Sequence, residues 1–267
     1  MAQLPGGYGA VLFVILATLL CGAARRLIGK LLPAGGSARR YAGEVVSTFQ
    51  LVTGMLEGDV VMEENGLVAY IVYLWFFFVL LGLTFDGDCS ANLGLVWQAW
   101  LQGETDTVNA INTSFYQVLG GQLAFPYARR LWWTAPTARH GIKWQAMMQE
   151  TCQSALHSSL LGGIAAEALA TLLYFLSRRY LMPRGKLRGI AFDSAVQAAI
   201  IAVGLEWTGM MFNPALAAAL TFNCRNHPVV EHLLVYWASP LATIAFVHFM
   251  TLRGPVKAAK RAELKSS

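Results

Sequence analysis

The sequence predicts an all-α membrane protein of several spans, arranged as an inverted repeat. Three observations carry that prediction. The chain of 267 residues is 56% hydrophobic and only 13% charged, against roughly a quarter charged in soluble chains. Apolar runs of about 20 residues, the length a helix needs to cross a bilayer, recur from end to end. A carboxylate within an apolar run, followed 46 or 48 residues later by an asparagine, occurs twice.

In chain order the long runs fall near 8–24, 41–62, 67–85, 108–132, 155–177, 189–207 and 229–252, seven spans in all. Two shorter apolar pieces lie at 92–102 and from Asn213 onward. The leading run is expected to be a retained span. "MAQLPGG" carries no basic residue and the charge follows the apolar core, whereas a signal peptide carries its charge first. In "TGMMFNPALAAAL", Asn213 is a good N-cap and Pro214 a good first helical residue, because a helix start needs a side-chain acceptor and has no use for that N–H. The residues from Ala215 to Leu220 are strong helix formers. A helix is therefore expected to begin at Asn213, inside a stretch as apolar as a membrane span.

Charge orients these elements. Fifteen of the twenty basic residues fall in three segments: Arg25, Arg26, Lys30, Arg39 and Arg40; Arg178, Arg179, Arg184, Lys186 and Arg188; and Arg253, Lys257, Lys260, Arg261 and Lys265. If both short pieces enter and leave on one side, all three segments share a face, and the positive-inside rule makes it cytoplasmic. A full crossing by either piece would move the last segment to the opposite side. The charges thus predict two re-entrant half-helices. Arg129, Arg130, Arg139 and Lys143 then fall outside, an exception to the rule.

The repeat is carried by "GEVVSTFQLV", with Glu44 and Thr48, and "AAEALATLLY", with Glu167 and Thr171. Glu44 precedes Asn92 by 48 residues and Glu167 precedes Asn213 by 46. Each half reads as span with Glu, span, half-helix, span. Three full spans per half is an odd number, so the copies are inverted, as in many transport proteins. Irregular backbone at that depth is tolerated only where it lines a cavity or is packed in protein. Glu44 and Glu167 are expected to accept backbone N–H groups and brace the neighbouring loops. The division expected is 1–40 (extra span and basic loop), 41–135 (first repeat), 136–153 (extracytoplasmic connecting loop), 154–252 (second repeat) and 253–267 (basic cytoplasmic tail).

Over about 41–252 these residues resemble the aquaporins, the major intrinsic protein family. "TGMMFNPALA" resembles the family's second signature loop, with Asn213, Pro214 and Ala215 as its Asn-Pro-Ala. Glu44 and Glu167 sit where the family places its paired carboxylates. "GGQLAF" around Gln122 and "VYWASPLA" around Pro240 resemble its third and sixth core spans. The resemblance implies six core transmembrane helices and two re-entrant half-helices, here with one extra N-terminal span. The first half departs from the pattern, reading "FDGDCSANLGLVW". The repeat spacing puts the motif at Ala91, Asn92 and Leu93; the alternative is Asp88-Cys89-Ser90 with Asp88 as the cap. Asn92 is preferred because it supplies the same amide. A degenerate first motif beside an intact second one is similar to the superaquaporin subfamily, as are "GLT" at 82–84, "FNPALA" and "VYW". The second departure is Leu216, where most aquaporins place an arginine at the narrowest point. By position, Met210, Ile201 and Ile71 are expected to line the same constriction.

The function the resemblance implies is a passive channel for water and small neutral solutes such as glycerol and hydrogen peroxide. The alternative is a non-conducting membrane scaffold of the same fold. The implied partners are those solutes, the lipid bilayer and three further copies in a homotetramer, in an intracellular membrane such as the endoplasmic reticulum or in the plasma membrane. No nucleic-acid partner is expected, since the net charge of +5 is loop charge. No enzyme, metal or cofactor is expected either: His157, His232 and His248 are isolated, without metal-ligand spacing. Cys21, Cys89, Cys152 and Cys224 have no CxxC spacing and are expected to be buried thiols. The sequon at Asn112 falls near the cytoplasmic end of a span and is expected to be unused.

Overall fold

The computed structural model describes residues 6–85, 89–149, 154–181, 186–222, 224 and 228–252. Among them every regular element is a helix: α1 (Gly6–Leu31), α2 (Ser37–Thr84), α3 (Leu93–Leu101), α4 (Thr107–Trp133), α5 (Ala138–Gln149), α6 (Leu160–Leu181), α7 (Lys186–Gly204), α8 (Pro214–Leu220), α9 (Val229–Leu233) and α10 (Ser239–Leu252). A π-helical turn, Leu234–Ala238, joins the last two. Arg184, Asp88, Cys152 and the five basic residues of the tail lie outside the described residues.

Five helices among the described residues are long and apolar enough to cross a membrane: α1, α2, α6, α7 and the run Val229–Met250. The sequence predicts seven, and two helices account for the difference. α2 holds two of the expected spans in 48 residues, broken at Gly66, whose φ of 81° and ψ of 178° suit only glycine. The two spans are thus joined by a tight turn without a loop. α4 has 27 residues, enough to cross, but it is too polar. Two of its polar side chains bond to neighbouring elements. Gln117 donates to the Glu44 carboxylate at 3.0 Å, and Gln122 donates to the Ala218 carbonyl at 2.8 Å. A Cβ on Gly120 would lie 2.3 Å from the Val45 carbonyl oxygen, so bare backbone lets α4 close on α2. Gly121 faces Ala219 of α8 in the same way.

The two halves repeat the same order of elements. The first runs through α2 before Gly66, α2 after it, α3 and α4; the second runs through α6, α7, α8 and α9–α10. Each short helix packs against the closing helix of the other half, α8 on α4 and α3 on α10. α1 lies along α2, burying Ala10, Val14, Ala17 and Cys21. Gln50 donates to Thr18 at 3.1 Å, and Arg25 donates to Ser47 at 3.4 Å.

Two expectations need correction. The segment 136–153, read as a connecting loop, is helical over Ala138–Gln149, and α5 accounts for Arg139 and Lys143 of the charge exception. Arg139 pairs with Glu64 at 3.0 Å, and Lys143 pairs with Glu63 at 2.9 Å. His140, fully buried, meets Glu57 at 2.9 Å, and Trp132 donates to the same carboxylate. The cations of α5 are neutralised by an acidic cluster on α2 beside the Gly66 turn. Cys224 is also not a thiol: it is disulfide-bonded, while Cys21 and Cys89 form no disulfide. A disulfide persists in an oxidising environment.

Denatured, unreduced protein is therefore expected to take up fewer maleimide labels than reduced protein. Cys224→Ser should abolish the difference; mass spectrometry of the adducts checks both.

Candidate functional site: two helix starts that meet tip to tip

Two helices begin in the interior with the same local geometry. Asn213 caps α8 with φ −146° and ψ 103°, its Oδ1 accepting from the Ala215 N–H at 3.1 Å. Asn92 caps α3 with φ −137° and ψ 112°, its Oδ1 accepting from the Gly94 N–H at 2.8 Å. Each follows a non-glycine residue in the left-handed region, Phe212 at φ 35° and Ala91 at φ 49°. That conformation is strained and persists only where neighbours enforce it.

The neighbours are the two carboxylates. Glu44 accepts from the N–H of Ser90 through one oxygen and of Ala91 through the other, both at 2.9 Å. Glu167 accepts from Met211 at 3.0 Å and Phe212 at 2.9 Å in the same two-oxygen fashion. A left-handed residue turns successive N–H groups into a concave anion-binding nest, and a carboxylate has two oxygens to fill it. Both carboxylates are buried, Glu44 at 2% and Glu167 at 0% exposure. Their remaining partners differ. Gln117 and the Ser90 hydroxyl complete Glu44, whereas the Thr208 hydroxyl, at 2.7 Å, completes Glu167. Thr48 and Thr171, four residues on, are fully buried.

The tips touch. The Asn213 amide donates to the Ala91 carbonyl at 2.8 Å, and the Leu93 N–H donates to Asn213 Oδ1 at 3.3 Å. The second contact exists because Leu93 stands where the other half has Pro214, which has no N–H. At the first tip the structure therefore brings Ala91, Asn92 and Leu93 to Asn213. In the alternative triplet, Ser90 is held by Glu44 one step before the tip.

A cavity of about 110 Å³ opens beside the tips, bordered by Asn92, Asn213, Leu216, Ile201, Leu51 and Phe78 among others. Space of that size holds several waters, since one needs only about 10–15 Å³. Of the residues expected at a constriction, Leu216 and Ile201 border it. Met210 and Ile71 do not. Met210 is buried against Gly204, filling the room a Cβ would take there, and Ile71 lies two turns along α2 from Phe78. The cavity is also bordered by Tyr174, Arg178, Asp193 and Gln197, none of which the sequence reading places at the site. Asp193 was the available signal, being an ionisable residue inside an apolar run.

An interior built around two mid-chain helix starts, with five helices among the described residues apolar enough to span, is that of an integral membrane protein. No family model matches the chain. It is 31% identical over 229 residues to Aquaporin-12 from Mus musculus, covering 84% of this chain and 78% of the relative. It is 25% identical over 216 residues to Aquaporin-11 from Homo sapiens, covering 80% and 78%. Its fold matches the aquaglyceroporin from Plasmodium falciparum with a TM-score of 0.54 at 16% identity, over 80% of this chain and 95% of that one. The chain belongs to the aquaporin family, and it is not an enzyme.

Glu167→Gln leaves one acceptor oxygen for two N–H groups. It should cost about 1–3 kcal/mol, the price of an unsatisfied buried donor. A fall of the melting temperature in detergent, larger than for a surface Glu→Gln control, checks this.

Proposed function

We propose that this protein is a passive channel for water and small neutral solutes, with the passage running beside the touching tips of α3 and α8. The observation that carries the reading is the meeting itself: Asn92 and Asn213 border one cavity whose nearby walls are apolar. In this reading the six core spans are the two arms of α2, then α4, α6, α7 and α9–α10. α3 and α8 are half-helices entering from opposite leaflets, α1 is an added span, and the halves are related by inversion. The basic segments face the cytoplasm, in an intracellular membrane such as the endoplasmic reticulum or in the plasma membrane. The channel is a homotetramer, with Glu44 and Glu167 as the loop-bracing carboxylates.

The mechanism follows from the tips. A helix start carries a positive partial charge of about half a unit, and two starts facing each other repel cations and hydronium. An amide nitrogen has two donor hydrogens. The Asn213 amide spends one on Ala91, which leaves one for a passing oxygen. A water held by such donors points its own hydrogens outward, and this interrupts a chain of proton transfers. Apolar neighbours such as Leu216 and Ile201 let the molecule leave. With Leu216 in place of an arginine, the constriction is wider and less polar, which suits glycerol and hydrogen peroxide as well as water.

Reconstituted vesicles should shrink faster than empty ones in stopped-flow osmotic assays, and Asn213→Asp should bring the rate back to that of empty vesicles. Equal rates for wild type and empty vesicles would mark a non-conducting scaffold. Leu216→Arg should lower glycerol flux relative to water; an unchanged ratio would remove Leu216 from the constriction.

A further inference from the structure

We propose that Arg178 and Phe85 form a second constriction, which sets the size and polarity of the solutes that pass; the proposal rests on the channel reading above. The cavity beside the asparagines is continuous in its lining with a larger one of about 540 Å³, on the side of α3 that carries Arg40, Glu104 and Thr105. The two share Gly82, Phe85, Ser90 and Arg178. These four residues are a neck between a polar vestibule and the apolar interior. Every solute using the vestibule passes it.

Both bulky neck residues are held from behind. Arg178 meets Asp193 at 3.5 Å, and Asp193 is fixed by the Ser177 hydroxyl at 2.6 Å and the Gln197 amide at 2.9 Å. The guanidinium also lies 5.7 Å over the Tyr174 ring, which stacks on Phe212 at 5.0 Å, the residue before Asn213. Across the neck, Phe85 is backed by the Arg25 guanidinium of α1 at 5.4 Å, itself buried and bonded to Ser47. The added helix α1 thus steadies one wall of the neck.

Exposure decides which charge a solute meets. The Arg178 side chain is 34% exposed and that of Asp193 only 4%, so the pair turns its positive end to the passage. A guanidinium offers five donors and no acceptor. Those not turned to Asp193 and Tyr174 serve small neutral molecules with an acceptor oxygen and disfavour cations, while Phe85 supplies an apolar edge for C–H groups. Arg178 therefore supplies, at the vestibule end, the donor and charge that Leu216 lacks. Bulkier polyols are restricted by the arginine's reach.

The test uses full-length protein in vesicles, with water, glycerol and erythritol flux measured on the same preparations of wild type, Arg178→Gln, Arg178→Lys and Phe85→Ala. Arg178→Gln shortens the side chain and widens the neck, so the erythritol-to-water ratio should rise severalfold. Arg178→Lys, which keeps the cation beside Asp193, should stay near wild type. Phe85→Ala opens the opposite wall without touching the ion pair and should also raise the ratio, so misfolding of one variant does not remove the test. Wild-type ratios in both Arg178→Gln and Phe85→Ala, with water flux retained, would overturn the neck and leave the channel standing. Wild-type vesicles no faster than empty ones would instead overturn the channel reading, and the neck with it.

Discussion

The structure depends on a carboxylate gripping two consecutive backbone N–H groups, once in each half. A helix that starts in the interior of a membrane protein leaves orphan donors away from bulk water. Glu44 and Glu167 take those just before the tips, and Asn92 and Asn213 take those just after. The same grip holds Ala91 and Phe212 in a conformation that neither would adopt freely. Aspartate is one methylene shorter, and glutamine has one acceptor where two are needed. The choice of glutamate at both sites has this geometric cause.

From those two grips the packing follows. With the turns fixed, α3 and α8 point their caps at each other, and the bare backbone of Gly120 and Gly121 lets α4 close on α2 and α8 together. The halves are not identical. Proline at 214 and leucine at 93 give one tip an N–H that the other lacks, and that N–H is used by Asn213. The two tips therefore differ in which donor faces which acceptor while staying in contact.

What could be read from the sequence was local or periodic. The cap at Asn213 is legible because a helix start is written in adjacent residues, and carrying the 46-residue spacing from Glu167 to Asn213 onto Glu44 lands at Ser90, two residues short of Asn92, whose amide then marks the cap. The turn at Gly66 is legible as the polar gap 63–66 between two apolar runs, whereas its tightness, one residue wide, depends on the φ that glycine adopts there. α5 and its pairing to α2 stay hidden because His140 and Glu57 are 83 residues apart, and only the fold brings them together. The disulfide at Cys224 escapes a search for CxxC spacing for the same reason. Arg178 is legible as loop charge but not as a cavity wall, since its role depends on Asp193 on the next helix. Met210 and Ile71, assigned by position alone, fall beside Gly204 and two turns from the cavity.

The central claim is that paired helix starts let neutral molecules cross while stopping protons. One measurement meets it directly: water flux and decay of an imposed pH gradient, recorded on the same vesicles containing wild-type protein. Fast osmotic shrinkage, with a gradient that decays no faster than in protein-free vesicles, is the predicted result. A gradient that collapses as quickly as the water moves would contradict the account.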